Sequence, residues 1–137
     1  MTWLTKILSK AFPARHMKNS NSGKTFDEMY EELGVFEYDE KGFTIIYEDI
    51  AKRIDWTEIT QINVYKVDKI TIDRIDMEIV CSDICFSISE ELPGWYQFVL
   101  KTKNVFPTIP KDWDVKIIQP AFETNYTTIY DRTMLEK

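Results

Sequence analysis

The chain has 137 residues, a formal net charge of −6 and two cysteines. This length predicts one domain with room for a hydrophobic core. No apolar run approaches the ~20 residues of a membrane-spanning helix, and Lys6 and Lys10 interrupt the apolar residues that a secretory signal would need. We therefore expect a cytoplasmic protein in which Cys81 and Cys85 remain thiols rather than form a disulfide.

The charges are distributed unevenly. Of the 17 basic residues, five lie in residues 1–24, which contain no acidic residue. Residues 25–137 therefore hold 12 basic residues and all 23 acidic ones, a net charge of −11. Such an acidic body argues against nucleic-acid binding, which needs basic surface to meet phosphates. It favours a basic protein partner.

The first predicted element is a short basic amphipathic helix over residues 2–12. Trp3, Leu4 and Ile7 begin an apolar stripe at helical spacing, and Lys6 and Lys10 lie opposite. A helix of about three turns is marginal alone in water, so we expect it to dock on something. We favour docking on its own domain. The alternatives are docking on a partner protein and docking on a membrane surface, and the latter would make the protein membrane-peripheral.

A polar, aperiodic linker follows, so residues 1–25 are predicted to form a helix plus linker and residues 26–137 a single α+β domain. The linker contains the only histidine, His16. It also contains Ser22-Gly23-Lys24-Thr25, which lacks the upstream glycine and the preceding strand of a phosphate-binding loop. We expect neither catalysis nor nucleotide binding here.

The next residues predict a helix and a hairpin. Residues 26–33 are typical of a short acidic helix that ends at Gly34. Residues 35–38 and 43–47 are two strands around a turn at residues 39–42. Residues 48–54 are consistent with either a short strand or one helical turn, and Trp56 is assigned to the core.

Residues 59–89 predict three consecutive antiparallel strands. Apolar and polar side chains alternate here, which is typical of strands with one buried and one solvated face. The buried face is predicted to carry Ile75, Met77, Ile79, Cys81, Ile84, Phe86 and Ile88. The solvated face is predicted to carry Arg74, Asp76, Glu78, Cys85, Ser87 and Ser89.

After Ser89 the period becomes helical. Leu92, Trp95, Tyr96 and Val99 predict a helix over residues 93–104 with Pro93 in its first turn. Residues 106–110 are predicted to be stiff and extended because of their two prolines. The aromatic tail that follows is predicted to fold back and pack, through Trp113, Phe122, Tyr126 and Tyr130.

The residues do not assemble a catalytic set, a metal site or a cofactor site. We expect a non-enzymatic protein, and the candidate partner-binding residues are the carboxylates of the central strands and their turns, Asp68, Asp73, Asp76, Glu78 and Asp83. The candidate docking residues of the N-terminus are Trp3, Leu4, Lys6, Ile7 and Lys10. An enzyme that uses Lys66, Asp68 and Asp73 is the least favoured reading, because charges near turns are usually structural.

Several motifs resemble a group of small uncharacterised bacterial proteins with a pleckstrin-homology-like (PH-like) domain. The matching stretches are Gly42-Phe43, Trp56-x-x-Ile59, Tyr65-Lys66-x-Asp68 with Thr71-x-Asp73, Glu91-x-Pro93-Gly94-Trp95, and residues 120–125. The resemblance covers residues 35–132 and implies a bent antiparallel sheet or small barrel closed by one main helix. Related bacterial proteins are suspected of being immunity or interaction proteins. The chain departs from the pattern by continuing about 30 residues beyond the helix and by lacking, in the first hairpin turn, the basic cluster that phosphoinositide-binding members carry.

Overall fold

The computed structural model describes residues 25–47, 49–70, 72–82, 84–119 and 124–134. The predicted N-terminal helix, Asp83 and Phe122 lie outside these ranges. The fold is α+β, as predicted, and its strands form two antiparallel sheets of three and four strands. Within the described ranges, no helix is both long enough and apolar enough to cross a membrane.

The elements follow one another with short connections. They are α1 (Phe26–Glu31), β1 (Phe36–Tyr38), β2 (Gly42–Tyr47), β3 (Ile50–Asp55), β4 (Ile59–Asp68), β5 (Asp73–Cys81), β6 (Cys85–Ser89), α2 (Trp95–Val105), α3 (Trp113–Lys116) and β7 (Thr127–Asp131). Single 3-10 turns follow β3, at Trp56–Glu58, and β7, at Arg132–Met134.

The three-stranded sheet has the order β1-β2-β3. The predicted hairpin is confirmed, since Tyr38 pairs with Phe43 across its turn. Asp39 stabilises that turn because its Oδ1 accepts hydrogen bonds from the N–H groups of Lys41 and Gly42, each at 2.9 Å. The ambiguous residues after β2 supply β3, so the strand alternative is the one adopted.

The four-stranded sheet has the order β6-β5-β4-β7. Its first three strands are the ones predicted from the central alternation, and Asp68 pairs with Asp73 where β4 and β5 meet. The fourth strand comes from the aromatic tail, whose Tyr130 pairs with Ile62 of β4. The tail therefore folds back as predicted, although Tyr126 remains 57% exposed.

The longest described helix, α2, lies over the aromatic centre of the core. Phe98 is fully buried and its ring lies 4.5 Å from that of Phe36 on β1 and 5.1 Å from that of Phe43 on β2. After the end of α2, the ring of Phe106 lies 4.2 Å from that of Tyr130 on β7. The same helical segment thus joins both sheets into one core.

The structure differs from the sequence prediction at the start of α2 and in the segment that follows α2. The helix α2 begins at Trp95 rather than Pro93, because Gly94 adopts the left-handed conformation with φ 94°. A Cβ atom at Gly94 would lie 2.2 Å from the carbonyl oxygen of Leu33, so only glycine fits there. Residues 106–110 are not extended: the Ile109 N–H donates to the Phe106 carbonyl at 3.0 Å, and both side chains are buried in a turn.

Candidate functional site

The candidate site is the face of the four-stranded sheet that points away from the core, which we call the outer face. Ile62 and Val64 of β4 and Met77 of β5 point into the core. The residues between them point the opposite way. The outer face is formed by Gln61, Asn63, Tyr65, Arg74, Asp76, Glu78, Cys85, Ser87 and Ser89 of β4 to β6, together with Tyr126 and Thr128.

Asn63 is the centre of a hydrogen-bond network on the outer face. Its Nδ2 donates to Glu78 Oε1 at 2.8 Å and to Gln61 Oε1 at 3.3 Å. Its Oδ1 accepts a hydrogen bond from Thr128 Oγ1 at 2.7 Å. Asn63 is only 2% exposed, so this network satisfies an amide that would otherwise be costly to bury. The network fixes the positions of the polar side chains before any partner arrives.

Two tyrosines extend this network toward solvent. The ring of Tyr126 stacks on that of Tyr65, with centroids 5.8 Å apart and an interplanar angle of 22°. The Tyr126 hydroxyl donates to Glu78 Oε1 at 3.0 Å. Tyrosine is enriched at protein interfaces because it combines large apolar area with a polar group. An exposed, oriented tyrosine beside a carboxylate is therefore suited to recognition rather than to the core.

The other half of the outer face carries an ion-pair cluster. Arg74 makes a bidentate pair with Asp76, from Nε to Oδ1 at 2.7 Å and from Nη2 to Oδ2 at 2.9 Å. Glu91 lies at the edge of this pair, with Oε2 3.9 Å from Arg74 Nη1 and Oε1 3.8 Å from Lys69 Nζ. Glu90 Oε1 accepts a hydrogen bond from the Ile75 N–H at 2.9 Å.

The carboxylates of this cluster outnumber the cations that neutralise them. Burial raises the pKa of Asp76, against the opposing effect of the Arg74 hydrogen bond. Burial also raises the pKa of Glu90, and the charges of Glu91 and Asp76 raise it further. In both cases the ionised form is disfavoured. An additional cation placed here would relieve that cost.

The structure separates the five predicted partner-binding carboxylates. Asp76 and Glu78 lie on the outer face, as the alternation predicts, although Asp76 is only 7% exposed rather than solvated, because it packs in a bidentate pair with Arg74. Asp68 is exposed at the end of β4, where its Oδ1 accepts a hydrogen bond from the Ile70 N–H at 2.9 Å. Asp73 points to the core side and lies 3.5 Å from Lys66 Nζ. Asp83, like the five N-terminal docking residues, lies outside the described residues.

Lys66 belongs to the interior rather than to the candidate site. Its side chain is 2% exposed, and Nζ donates to the Ile118 carbonyl at 2.8 Å as well as pairing with Asp73. Its backbone N–H donates to the Thr124 carbonyl at 2.7 Å. A substrate could not reach this ammonium group without displacing the chain around it, so the pair holds the tail on the sheet.

The β4–β5 turn presents two exposed isoleucines at one end of the outer face. Ile70 is 90% exposed and Ile72 is 62% exposed. Ile70 also adopts φ 74°, which is strained for a β-branched residue. The Asp68 side chain and a 2.9 Å hydrogen bond from the Lys69 N–H to the Ile72 carbonyl hold the turn in this conformation.

Replacing Ile70 with asparagine is expected to stabilise the isolated protein by about 0.5–1 kcal/mol, because asparagine tolerates positive φ and removes exposed apolar surface. Urea denaturation followed by circular dichroism measures the change. Ile72→Asn is the matched control, with a similar loss of apolar surface and no strain to relieve, and should leave stability nearly unchanged. Equal effects of the two variants would show that strain at Ile70 is not the cause.

Sequence reasoning located the strands of the outer face but missed most of its functional detail. Asn63 was not singled out, Arg74 was placed only on the solvated face and Tyr126 was expected only to pack, because their contacts depend on side chains from other strands. No group of three or more His, Cys, Asp and Glu side chains suited to a metal ion occurs among the described residues. No family model, curated protein or solved structure matches the chain.

Proposed function

We propose that the protein is a non-enzymatic protein-interaction domain that binds a basic partner through the outer face of the four-stranded sheet. The observation that carries this proposal is the pre-organised outer face, on which a buried hydrogen-bond network holds Glu78 and Tyr126 beside an under-neutralised carboxylate cluster. Preformed side-chain positions reduce the ordering cost of binding.

Charge supports the choice of a basic partner. Residues 25–137 carry a net charge of −11, and Asp76 and Glu90 both have raised pKa values. A lysine or arginine of a partner would favour their ionised forms and would also steer association over long range. Asp76 is 7% exposed and makes a bidentate pair with Arg74, so it contributes less. Glu91 contacts its cations only at 3.8 and 3.9 Å, and Glu78 accepts hydrogen bonds from the neutral groups of Asn63 and Tyr126. These two carboxylates, Glu78 and Glu91, are therefore the ones expected to meet the partner.

A bacterial immunity protein is the specific form of this function that we propose. An acidic, pre-organised face can cover the basic active site of a nuclease-type toxin by charge complementarity. The PH-like resemblance supports the same proposal, as do the antiparallel strands closed by one main helix. The strand β7, which follows that helix, is a departure from the PH-like pattern.

The test begins with affinity isolation of partners from the native host at low and moderate salt. The recovered partner is then titrated calorimetrically against Glu78→Gln/Glu91→Gln, a variant that keeps one carbonyl acceptor at each position and removes two charges. Affinity should fall about tenfold or more, since each lost charge pair contributes roughly 0.5–1 kcal/mol at a partly exposed interface. The dependence of affinity on salt concentration should also weaken.

The matched control is Glu37→Gln/Glu40→Gln, which removes two charges at exposed positions of the three-stranded sheet. This control should change affinity far less than the outer-face variant. If both variants lose the same affinity, the loss reflects the net charge of the protein and not the outer face. If the affinity of the outer-face variant is unchanged, this face is not the binding site.

A further inference from the structure

A second surface, which meets the outer face at Thr128, runs along the edge of β7 that no described strand covers. Among the strands that the structure describes, β7 lies at the edge of its sheet and pairs with β4 alone. Two cavities, of about 290 and 360 Å³, share Thr128 and Ile129 in their walls and therefore adjoin along β7. We call the two cavities together the β7 groove.

The walls of the β7 groove are largely apolar. Val64, Trp113 and Ile117 bound the first cavity and are each less than 5% exposed. Met134 bounds the second cavity and is 66% exposed. Each cavity lies near the lower end of the ~300–1,000 Å³ range of ligand pockets, a size that suits individual apolar side chains better than a cofactor.

We infer that the basic amphipathic segment of the same chain, residues 2–12, docks in the β7 groove. The described chain begins at Thr25, and α1 packs beside the start of α2, where Gln97 Nε2 donates to the Tyr30 carbonyl at 2.7 Å. Near the other end of α2, Lys103 Nζ lies 3.2 Å from Asp114 of α3, the helix that borders the groove. The segment must therefore reach along the length of α2.

The connecting residues are long enough for this. The helix α2 has 11 residues, which corresponds to roughly 16 Å at 1.5 Å per residue. Residues 13–24 can span roughly 40 Å when extended. Tethering by a linker of this length gives an effective concentration on the order of 1 mM. Docking on the same chain is thereby favoured over docking on a second copy at micromolar protein concentration.

The chemistry of the segment matches the groove. Trp3 and Ile7 are four residues apart, so on a helix they would be neighbours, with ~5–6 Å between their Cβ atoms. Two neighbouring apolar side chains suit two adjoining cavities with apolar walls. The five basic residues of residues 1–24 are attracted to a body of net charge −11. Asp112 and Asp114 of α3 already pair with Lys116 at 3.4 Å and with Lys103 at 3.2 Å. Apolar contact therefore provides most of the binding, and salt should weaken it only modestly.

Tryptophan fluorescence of the full chain tests this inference. Of the four tryptophans, Trp56, Trp95 and Trp113 are 8%, 5% and 4% exposed. Acrylamide quenching, corrected with Trp3→Phe, therefore reports the exposure of Trp3. We expect Trp3 to be protected in the wild-type protein, with protection that is independent of protein concentration and little changed by moderate salt.

Variants on each side of the contact should release Trp3. Ile7→Asp places a charge on the apolar stripe, and Met134→Asp places one in an exposed wall of the groove. Each should raise the quenching constant of Trp3 several-fold without unfolding the domain. The matched controls are Thr5→Asp, on the polar side of the predicted helix, and Ile72→Asp, at an exposed apolar position of the β4–β5 turn. Neither control should release Trp3.

Three outcomes would overturn the inference. Trp3 as quenchable as a free tryptophan amide would show that the segment is undocked. Protection that disappears on dilution, together with a dimer in analytical ultracentrifugation, would assign the groove to a second copy. Protection that appears only with vesicles of anionic phospholipid would make the segment a membrane anchor. None of these outcomes bears on the outer face, whose partner binding is tested separately.

Discussion

Replacing Phe98 with alanine is expected to destabilise the domain by about 3–5 kcal/mol, the typical cost of removing a large aromatic side chain from a core. Phe98 is fully buried, and its ring packs against Phe36 at 4.5 Å, Phe43 at 5.1 Å and Trp56 at 6.0 Å. These neighbours belong to β1, β2 and the turn before β4. The loss would therefore weaken the contact of α2 with the three-stranded sheet and with the turn that leads into β4.

Urea denaturation followed by far-ultraviolet circular dichroism measures this loss as a lower midpoint at an unchanged slope. Two comparisons sharpen the result. Phe98→Leu keeps most of the apolar volume and should cost clearly less than Phe98→Ala. Asn104→Ala, at an exposed position of the same helix, should cost almost nothing. A loss below about 1 kcal/mol for Phe98→Ala would mean that the core closes over the cavity or that α2 does not organise it.

The local part of this fold could be predicted from the sequence because its signals lie within single elements. The alternation of residues 75–89 identified β5 and β6, and the helical spacing of Trp95, Phe98 and Val99 identified α2. Both predictions rest on side-chain periodicity, which short-range geometry determines. The start of α2 was wrong because the left-handed conformation of Gly94 depends on Leu33, 61 positions earlier in the chain.

The rest depends on contacts between residues far apart in sequence. The pairing of β7 with β4 brings Thr128 to Asn63, and no local pattern specifies which strand the tail will join. The separation of the strands into two sheets is equally non-local. The outer face could be located only as a solvated strand face, since its hydrogen bonds require the register of three strands.

The buried position of Lys66 could have been predicted from the sequence. It has the same parity along β4 as Ile62 and Val64, which are buried, so the period of two places it on the core side. A lysine in that position requires a carboxylate or carbonyl partner. Asp73 and the Ile118 carbonyl are those partners. The position of Lys66 on the strand was predictable, whereas its connection to the segment after α3 was not.

Replacing Lys66 with methionine is expected to destabilise the protein by about 2–3 kcal/mol, because a buried ion pair that loses one partner leaves an uncompensated charge. The loss of stability should be smaller than for a deeply buried ion pair, since the Asp73 side chain is 16% exposed. Lys66→Met/Asp73→Asn should recover part of it, and the double-mutant cycle gives the coupling between the two residues. Thermal and urea denaturation of the four proteins provide the measurement.

The matched control for this pair is Lys69→Met. Lys69 Nζ lies 3.8 Å from Glu91, and the Lys69 side chain is 30% exposed. This variant should cost less than about 1 kcal/mol. The Lys66 side chain also donates to the Ile118 carbonyl in the connection between α3 and β7, whereas the bond to Thr124 uses the backbone N–H and persists in the variant. Amide exchange in Lys66→Met should therefore increase in β7 more than in β6. Equal costs for the two lysine variants, with exchange unchanged in β7, would show that Lys66 does not hold the tail on the sheet.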